Sequence, residues 1–329
     1  MQMHMATYIG RTLIRGVGLL AAVIIVTFVL VQASPVDPVE AYITAENPVS
    51  QEQREAIAAY WGLNDPPLER LGKWVSALAR GDMGTSMYYR QPVTEVIRVH
   101  FMNSLLLMAV AWVLAGFSGF VLGVVAAACQ QTKVDKFIKV YCLLIASAPA
   151  FWVGLLILMV FAVWLGWFPI ALGTPIGKEA AAVTIGDRLY HLVLPAVTLA
   201  VTGTSQIALH TRQKLIDVLN SDYAVFAAAR GETKWQIVYH HGLRNILLPA
   251  VTLQFGSISE LFGGSVLAET VFSYTGLGYV AVVAGTKLDL PLLLGITLCS
   301  GFFVFAGNLI ANLLYPLIDP QIREGMAHE

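Results

Sequence analysis

Long apolar segments separated by shorter polar ones dominate the hydrophobic pattern of the chain. An α-helix needs roughly 20 apolar residues to cross a bilayer. The first segment of this length covers residues 16–33. The further segments are, in chain order, 104–128, 140–165, 192–209, 246–271 and 290–318. The pattern therefore predicts an all-α polytopic membrane protein with six transmembrane helices.

The polar segments indicate how the chain is divided between the two sides of the membrane. The predicted regions are an N-terminal cytoplasmic segment with the first span at 1–33, an extracytoplasmic region at 34–98, a core of five spans at 99–318 with a cytoplasmic loop at 212–245, and a cytoplasmic tail at 319–329. Lys and Arg are enriched in short cytoplasmic loops. With both termini in the cytoplasm, the short outer loops hold only Lys178, Arg188 and Lys287. We therefore expect both termini inside.

Composition supports the membrane class and excludes several others. The chain is 57% hydrophobic and 12% charged, and its net charge of −1 gives no basic field for nucleic acid. The three cysteines are widely spaced and match neither a disulfide framework nor a metal site. His240 and His241 are adjacent, and adjacent side chains on a helix point apart, which argues against metal ligation. Gly119-x-x-x-Gly123 is a small-residue face suited to close helix packing, although glycine is common in membrane helices.

The loop between the fourth and fifth spans has the pattern of a helical hairpin. Ser221 offers an N-cap to an alanine-rich helix, and Gly231 can take the left-handed conformation that ends a helix. Thr233 and Gln236 form a capping-box pattern that starts a second short helix through about Leu243. The hairpin carries more apolar and aromatic side chains than a solvated connector needs, which favours either a protein interface or a helix resting on lipid headgroups.

The same loop resembles a known signature. Ala227-Ala-Ala-Arg-Gly231 and Ile246-x-Leu248-Pro249 are similar to the cytoplasmic motif of the membrane subunits of ATP-binding-cassette importers. Val225 stands where that motif has glutamate, and the peptide and nickel importer subfamily also often lacks that glutamate. In that subfamily the segment typically reads D-Y-V-x-x-A-R-A-K-G, against 222–231 here.

Further motifs of this subfamily occur in order along the chain. They are Trp61-Gly-Leu-Asn-Asp-Pro66, Gly81-Asp-Met-Gly84-Thr-Ser, Ser147-x-Pro149-x-Phe151-Trp152-x-Gly154, His191-Leu-x-Leu-Pro195-Ala-x-Thr-Leu199, Glu269-Thr-Val-Phe272, Gly276-Leu-Gly278, Asp289-x-Pro291 and Asp319-Pro320-x-Ile322-Arg323. Thr275 stands where the subfamily usually has proline. The chain is thus similar to the permease subunits of oligopeptide, dipeptide and nickel importers over nearly its whole length.

This resemblance implies a type I importer fold with a cytoplasmic coupling helix, in a bacterial inner membrane. It implies a second homologous permease subunit, two ATPase subunits that use ATP and Mg²⁺, and an extracytoplasmic substrate-binding protein. The ATPase-coupling residues would be Tyr223, Ala227, Ala228, Ala229, Gly231, Leu248 and Pro249. The substrate would be a di- or oligopeptide or a nickel or metallophore complex.

Three further residues leave alternatives open. Glu260 lies within the fifth apolar segment and is predicted, with Gly263 and Gly264, to line the translocation pathway; the alternative is a buried structural hydrogen bond. Glu269 is expected to be solvated or to fix a loop. Pro249 is either a stiff joint or a proline in the first turn of the fifth span.

The sequence contains no motif for binding or hydrolysing a nucleotide that could supply energy for transport. The stretch Gly173-Thr-Pro-Ile-Gly177-Lys178 does not have phosphate-loop spacing, and no Ser/His/Asp set or paired carboxylates suggest catalysis. We expect a transport subunit without a catalytic site, bound cofactor or metal. The alternatives are a self-sufficient secondary transporter, which would need several charged residues at mid-membrane, and a membrane scaffold.

Overall fold

A computed structural model describes residues 2–35, 39, 50–175, 177–178 and 182–318, with side chains described from residue 10 to 311 except at 11 and 13. The predicted tail at 319–329 and its Asp319-Pro320 motif lie outside these residues. The helices are α1 (Gln2–Gln32), α2 (Gln51–Tyr60), α3 (Pro67–Leu78), α4 (Val93–Ala128), α5 (Lys133–Ser147), α6 (Ala150–Ile157), α7 (Ile185–Leu219), α8 (Asp222–Ala229), α9 (Lys234–Ile237), α10 (Leu243–Gly256), α11 (Ile258–Val271), α12 (Leu277–Thr286) and α13 (Leu290–Ile318). π-helical turns extend α6 through Leu158–Trp164 and join α9 to α10 through Val238–Gly242.

Four of the described helices are long and apolar enough to cross a membrane: α1 from Ile14 onward, α4, α7 and α13. Two bent pairs meet the same test together. One is Lys133–Ser147 with Ala150–Trp164, bent by 110°, and the other is Lys234–Gly256 with Ile258–Val271, bent by 52°. Each pair is either one broken span or a re-entrant loop, and the contacts with α7 distinguish these cases.

Along each bent pair, successive residues contact α7 at successive positions, starting near the C-terminal end of α7 and moving toward its N-terminal end. At one end of α7, Arg212 binds Asp135 of α5. At the other end, the hydroxyl of Tyr190 donates to the carbonyl of Trp167, which follows α6. In the second pair, Gly242 lies against Leu215, and Gly264 of α11 lies against Leu199. A re-entrant loop would return to the side of the membrane from which it entered. Each pair instead runs along α7 in one direction, so each crosses the membrane as one span.

The chain divides into two compact units. The first comprises 1–103 and 276–305, and the second comprises 104–275 and 306–329.

In the first unit, a buried carboxylate joins two of the sequence motifs. Asp289 is fully buried and accepts hydrogen bonds from the Ser86 hydroxyl at 2.6 Å and from the Tyr88 amide at 2.9 Å. Gly84 lies beside Pro291, and an added Cβ would make ordinary van der Waals contact with Cβ of the proline at 3.6 Å. The loop after α3 is therefore fixed to the start of α13.

In the second unit, α7 is the central helix and α4 packs along it. A Cβ added at Gly119 would lie 2.7 Å from Cβ of Ile207, and one added at Gly123 would lie 2.7 Å from the carbonyl oxygen of Ala208. Real Cβ atoms do not approach other atoms this closely, so both positions require glycine for this packing. The Gly119-x-x-x-Gly123 pattern thus marks a helix–helix contact.

Candidate functional site

The candidate site is the hairpin formed by α8, α9 and the turn between them. α8 begins where α7 ends, after the extended backbone of Ser221. The Ser221 hydroxyl donates to the carbonyl of Val218 at 2.5 Å and does not accept a hydrogen bond from α8. Ser221 therefore occupies the N-cap position without capping the helix through its side chain, which differs from the sequence expectation.

The turn of the hairpin depends on Gly231. Its φ of +94° lies in the region that L-residues rarely adopt, as expected for a residue that ends a helix. The amides of Gly231 and Glu232 donate to the carbonyls of Ala228 and Ala227. These bonds satisfy carbonyl groups that the end of α8 would otherwise leave unpaired.

The second helix of the hairpin starts as predicted but does not stop where predicted. The Gln236 side chain accepts from the Thr233 amide at 2.7 Å, and the Thr233 hydroxyl accepts from the Gln236 amide, which completes the capping box. The helix then runs through the π-helical turn Val238–Gly242 directly into α10. The predicted end near Leu243 is therefore wrong, because helical backbone continues without a break from Lys234 to Gly256.

Pro249 lies inside α10, so the reading that it occupies the first turn of the fifth span is also wrong. Proline has no amide hydrogen, so the carbonyl one turn earlier lacks its usual helical partner. The missing hydrogen bond weakens α10 locally at Pro249, in the helix that connects the hairpin to the membrane.

Small apolar side chains form the inner face of the hairpin. Ala224 and Ala227 are buried against Ile237 of α9, with Leu219 at the end of α7 packed on the same cluster. Only small residues allow the two short helices to approach this closely. Ala227, a predicted coupling residue, therefore holds the hairpin together and does not face a partner.

Polar contacts tie the hairpin to the spans on either side. The Asn245 side chain donates to the Tyr223 hydroxyl at 3.3 Å and to the His241 carbonyl at 2.8 Å. Tyr223 on α8 is thereby connected to the start of α10. A displacement of α8 would be transmitted to α10 through this contact and through the alanine cluster.

A buried ion pair supports the base of the hairpin. The Arg212 guanidinium donates to both carboxylate oxygens of Asp135, at 2.6 and 2.8 Å, and the Asp135 side chain is only 3% exposed. The Gln131 amide donates to the same carboxylate. The loop between α4 and α5 is therefore fixed to the part of α7 that leads into α8.

The outer face of the hairpin is apolar and open. Phe226 is 72% exposed, Trp235 55% and Tyr239 70%. Of the predicted coupling residues, Ala228 and Ala229 are exposed on the same short helix, Tyr223 and Leu248 are about half exposed, and Gly231 is exposed at the turn. Exposed aromatic side chains of this kind occur in protein interfaces and also in helices that rest on lipid headgroups.

Charged side chains gather beside the turn. One Glu232 oxygen lies 3.1 Å from Arg230, and the other lies 3.8 Å from His240 and 3.4 Å from His241. The two imidazoles therefore approach one carboxylate, although side chains of adjacent residues were expected to diverge. The wider π-helical turn that contains both histidines accounts for this difference.

The predicted pathway residues lie on α11, just after the bend at Ser257. Glu260 and Gly263 are exposed, and Leu267 and Thr270 continue the same exposed stripe at helical spacing. Gly264 instead faces α7, where an added Cβ would lie 3.3 Å from Leu199. The bend precedes the two glycines, so the glycine pair does not cause it.

Glu269 was not identified from its sequence position as a buried group. It is fully buried on α11 and accepts a hydrogen bond from Ser104 of α4 at 2.5 Å. The expectation of a solvated side chain is wrong. Its backbone carbonyl accepts from the Tyr274 amide, which agrees with the alternative that Glu269 fixes the loop.

Comparison with known proteins gives consistent matches. Residues 119–324 match the family model described as "binding-protein-dependent transport system inner membrane component". The chain is 37% identical over 320 residues to the oligopeptide transport system permease protein AppB of Bacillus subtilis, covering 97% of this chain and 100% of the relative. It is 35% identical over 322 residues to a putative peptide permease of Brucella suis, covering 97% of this chain and 99% of the relative. It is 33% identical over 321 residues to a probable peptide ABC transporter permease of Sinorhizobium fredii, covering 97% and 100%.

Proposed function

This chain belongs to the inner membrane components of binding-protein-dependent transport systems, and on that premise we propose that it forms half of the translocation pathway of an ATP-driven peptide importer. The hairpin of α8 and α9 receives an ATPase subunit on the cytoplasmic side. Movement of the ATPase tilts the spans through the contacts of the hairpin with α7 and α10.

The observation that carries this proposal is the two-sided construction of the hairpin. Its inner face is closed by Ala224, Ala227 and Ile237, while its outer face exposes Phe226 and Trp235. A solvated connector would not require large exposed aromatic side chains. A rigid element with apolar anchors is suited to receive a partner and to transmit its movement.

The energy for transport comes from the partner. Two ATPase subunits bind and hydrolyse ATP with Mg²⁺, and we expect this chain to act without a nucleotide site, cofactor or metal of its own. The alternative of an ion-driven secondary transporter loses support because the family is described as a component of binding-protein-dependent transport systems and the Sinorhizobium fredii relative is named as a probable peptide ABC transporter permease. The membrane scaffold loses support for the same reason.

The pathway lies along the exposed stripe of α11. Glu260 and Gly263 face away from the second unit's own packing, and a carboxylate facing lipid at mid-membrane costs at least about 2.5 kcal/mol. A second, homologous permease subunit that covers this stripe would enclose a polar path. Glu260 would then attract the cationic amino group of a passing peptide.

The relatives named above are peptide permeases, which supports di- or oligopeptides as the substrate class over nickel or metallophore complexes. An extracytoplasmic binding protein would deliver the substrate to the region at 34–98. Both termini and the hairpin would lie in the cytoplasm, in agreement with the distribution of basic residues.

The docking role is tested by truncating an aromatic anchor. Phe226→Ala removes the ring that is 72% exposed on the hairpin. Truncation of an interface hot spot costs about 2 kcal/mol or more, so the ATPase should bind about thirtyfold more weakly. The measurement is titration of the ATPase subunit onto the permease in nanodiscs, combined with ATP-driven peptide uptake in proteoliposomes.

Phe117→Ala is the matched control, because Phe117 has the same exposed fraction of 72% but lies on α4. This variant should bind the ATPase with unchanged affinity. If Phe226→Ala and Phe117→Ala bind equally well, the hairpin is not the docking site, and an interfacial role on lipid headgroups takes its place.

A further inference from the structure

A cleft in the first unit contains an arginine whose buried Nε–H group has no hydrogen-bond partner among the residues the structure describes. The cleft has a volume of about 170 Å³. It is lined by the aromatic side chains of Phe28, Trp61 and Trp74, by the charged side chains of Asp65, Arg70 and Lys73, and by Leu290 and Leu294, among others. Ligand pockets usually measure about 300 Å³ or more, so only part of a larger molecule would enter.

The two cations of the cleft differ in their environment. Lys73 is paired with Asp65 at 2.8 Å and with Glu69 at 2.9 Å, which neutralises its charge. The Nε atom of Arg70 is buried and has no hydrogen-bond partner in the described part of the chain. Burial lowers the pKa of Arg70, and the carboxylate of Asp65 partly opposes this effect. Arginine nevertheless stays charged at neutral pH, so an anion in the cleft would relieve an unsatisfied donor.

The walls of the cleft indicate its depth relative to the membrane. Phe28 lies about 6 Å along the axis from the end of α1 at Gln32, given a rise of about 1.5 Å per residue. Leu290 and Leu294 lie in the first turns of α13, where that helix enters the membrane. The cleft is therefore at a membrane boundary, where tryptophan side chains such as Trp61 and Trp74 are favoured.

An anion at this depth has to be compatible with an apolar wall formed by membrane helices. We propose that the cleft binds the phosphate headgroup of a phospholipid in the adjacent leaflet, with Arg70 donating to the phosphate oxygens. The acyl chains would remain in the bilayer beside Phe28 and Leu294. Arginine matches phosphate with paired N–H donors, and this geometry favours it over lysine at such a site.

The lipid would join α3 to α1 and α13 as a replaceable part of the structure. The partner subunits used to test this inference come from the proposed function, but the test measures bound lipid and not transport, so the two proposals can fail separately.

The test compares phospholipid retained by the full chain assembled with its partner subunits, after delipidation in detergent, by native mass spectrometry. Arg70→Gln should retain the site's phospholipid about tenfold less than the wild type, as expected for the loss of a charged hydrogen bond. Arg80→Gln is the matched control, because Arg80 is exposed just after α3 and does not line the cleft. Leu290→Trp, which narrows the cleft and keeps the charge, should lose the lipid as Arg70→Gln does.

A second arm separates a lipid from a free phosphate ester. Phosphatidylglycerol added to the delipidated assembly should raise the apparent Tm of the wild type and of Arg80→Gln but not of Arg70→Gln, while glycerol 3-phosphate at the same concentration should have no effect. Equal lipid retention by wild type and Arg70→Gln would overturn the proposal. So would an equal response to glycerol 3-phosphate, or an Arg70→Gln variant that keeps its lipid but binds the extracytoplasmic binding protein more weakly, which would assign the cleft to a partner's carboxylate.

Discussion

Gly231 is held at a φ of +94° between two short helices, and beyond its two chain neighbours no described residue has an atom within 4 Å of where its Cβ would be. Only the backbone conformation, and not steric contact, therefore excludes other residues. Gly231→Ala should destabilise the turn by about 1 to 2 kcal/mol. We expect weaker ATPase binding in nanodiscs with little change in membrane insertion.

The control for this prediction is Gly231→Asn, because asparagine tolerates positive φ better than alanine. It should retain more ATPase binding than Gly231→Ala. If both variants bind as the wild type does, the hairpin adopts another turn without loss, and its rigidity is not required.

The ion pair of Asp135 and Arg212 is also a feature of single residues, and we expect its loss to lower the stability of the fold. Arg212→Ala leaves the Asp135 carboxylate buried without its main counter-charge, and the loss of one partner of a buried pair costs about 3 kcal/mol. The apparent Tm in detergent should fall clearly. The double variant Asp135→Asn with Arg212→Gln should lose less than the sum of the two single variants, since the residues are in direct contact. Additive losses would show that the pair is not coupled.

At the scale of elements, a packed glycine on α4 can be compared with an unpacked glycine on α1. Gly123→Ala places a Cβ 2.7 Å from the Ala208 carbonyl oxygen, and overpacking of this kind costs about 1 to 3 kcal/mol. Gly18→Ala on α1 meets nothing within 4 Å, and glycine to alanine in a helix is favourable by about 0.5 to 1 kcal/mol. Thermal unfolding should therefore show a lower apparent Tm for the first variant and an equal or higher one for the second. The reverse order would mean that α4 and α7 are not packed through this face.

The positions of the membrane helices could be predicted from the lengths of the apolar segments. A segment in lipid has to pair its backbone groups internally, and an α-helix does so. The breaks did not follow from length. The break before α6 has a local cause that the sequence contains, since the residue before proline is disfavoured in a helix and Ala148 is extended before Pro149. The bend at Ser257 has no proline, but it falls at the Gly256–Ser257 pair, and Gly/Ser pairs are a common site of helix kinks. α12 was not predicted because its ten residues are too short to cross a membrane.

Parts of the candidate site were predictable for the same physical reasons. The capping box and the glycine turn are local, and both were confirmed by the geometry of Thr233 and Gly231. The burial of Glu269 depends on Ser104, which is 165 positions away, so no local pattern indicates it. The inward direction of Ala227 likewise depends on Ile237, across the turn.

At the scale of the whole molecule, the arrangement of the spans decides on which side each loop lies. Within the second unit, the contacts of α4 with α7 advance in the same direction along both helices, from Ala115 with Gly203 to Gly123 with Thr211. The bent pairs run the opposite way. The hairpin and the loop between α4 and α5 therefore share one side, which the basic residues assign to the cytoplasm.

This orientation predicts the labelling of single cysteines. In a variant with Cys129, Cys142 and Cys299 replaced, Lys234→Cys on the hairpin should react with a membrane-impermeant maleimide only after permeabilisation. Lys73→Cys on α3 should react in intact spheroplasts, since both lysines lie in exposed positions and are expected to face opposite sides of the membrane. Reaction of Lys234→Cys in intact spheroplasts would place the hairpin outside the cell, where no ATP-driven partner could act on it, and would exclude the proposed coupling together with the predicted topology.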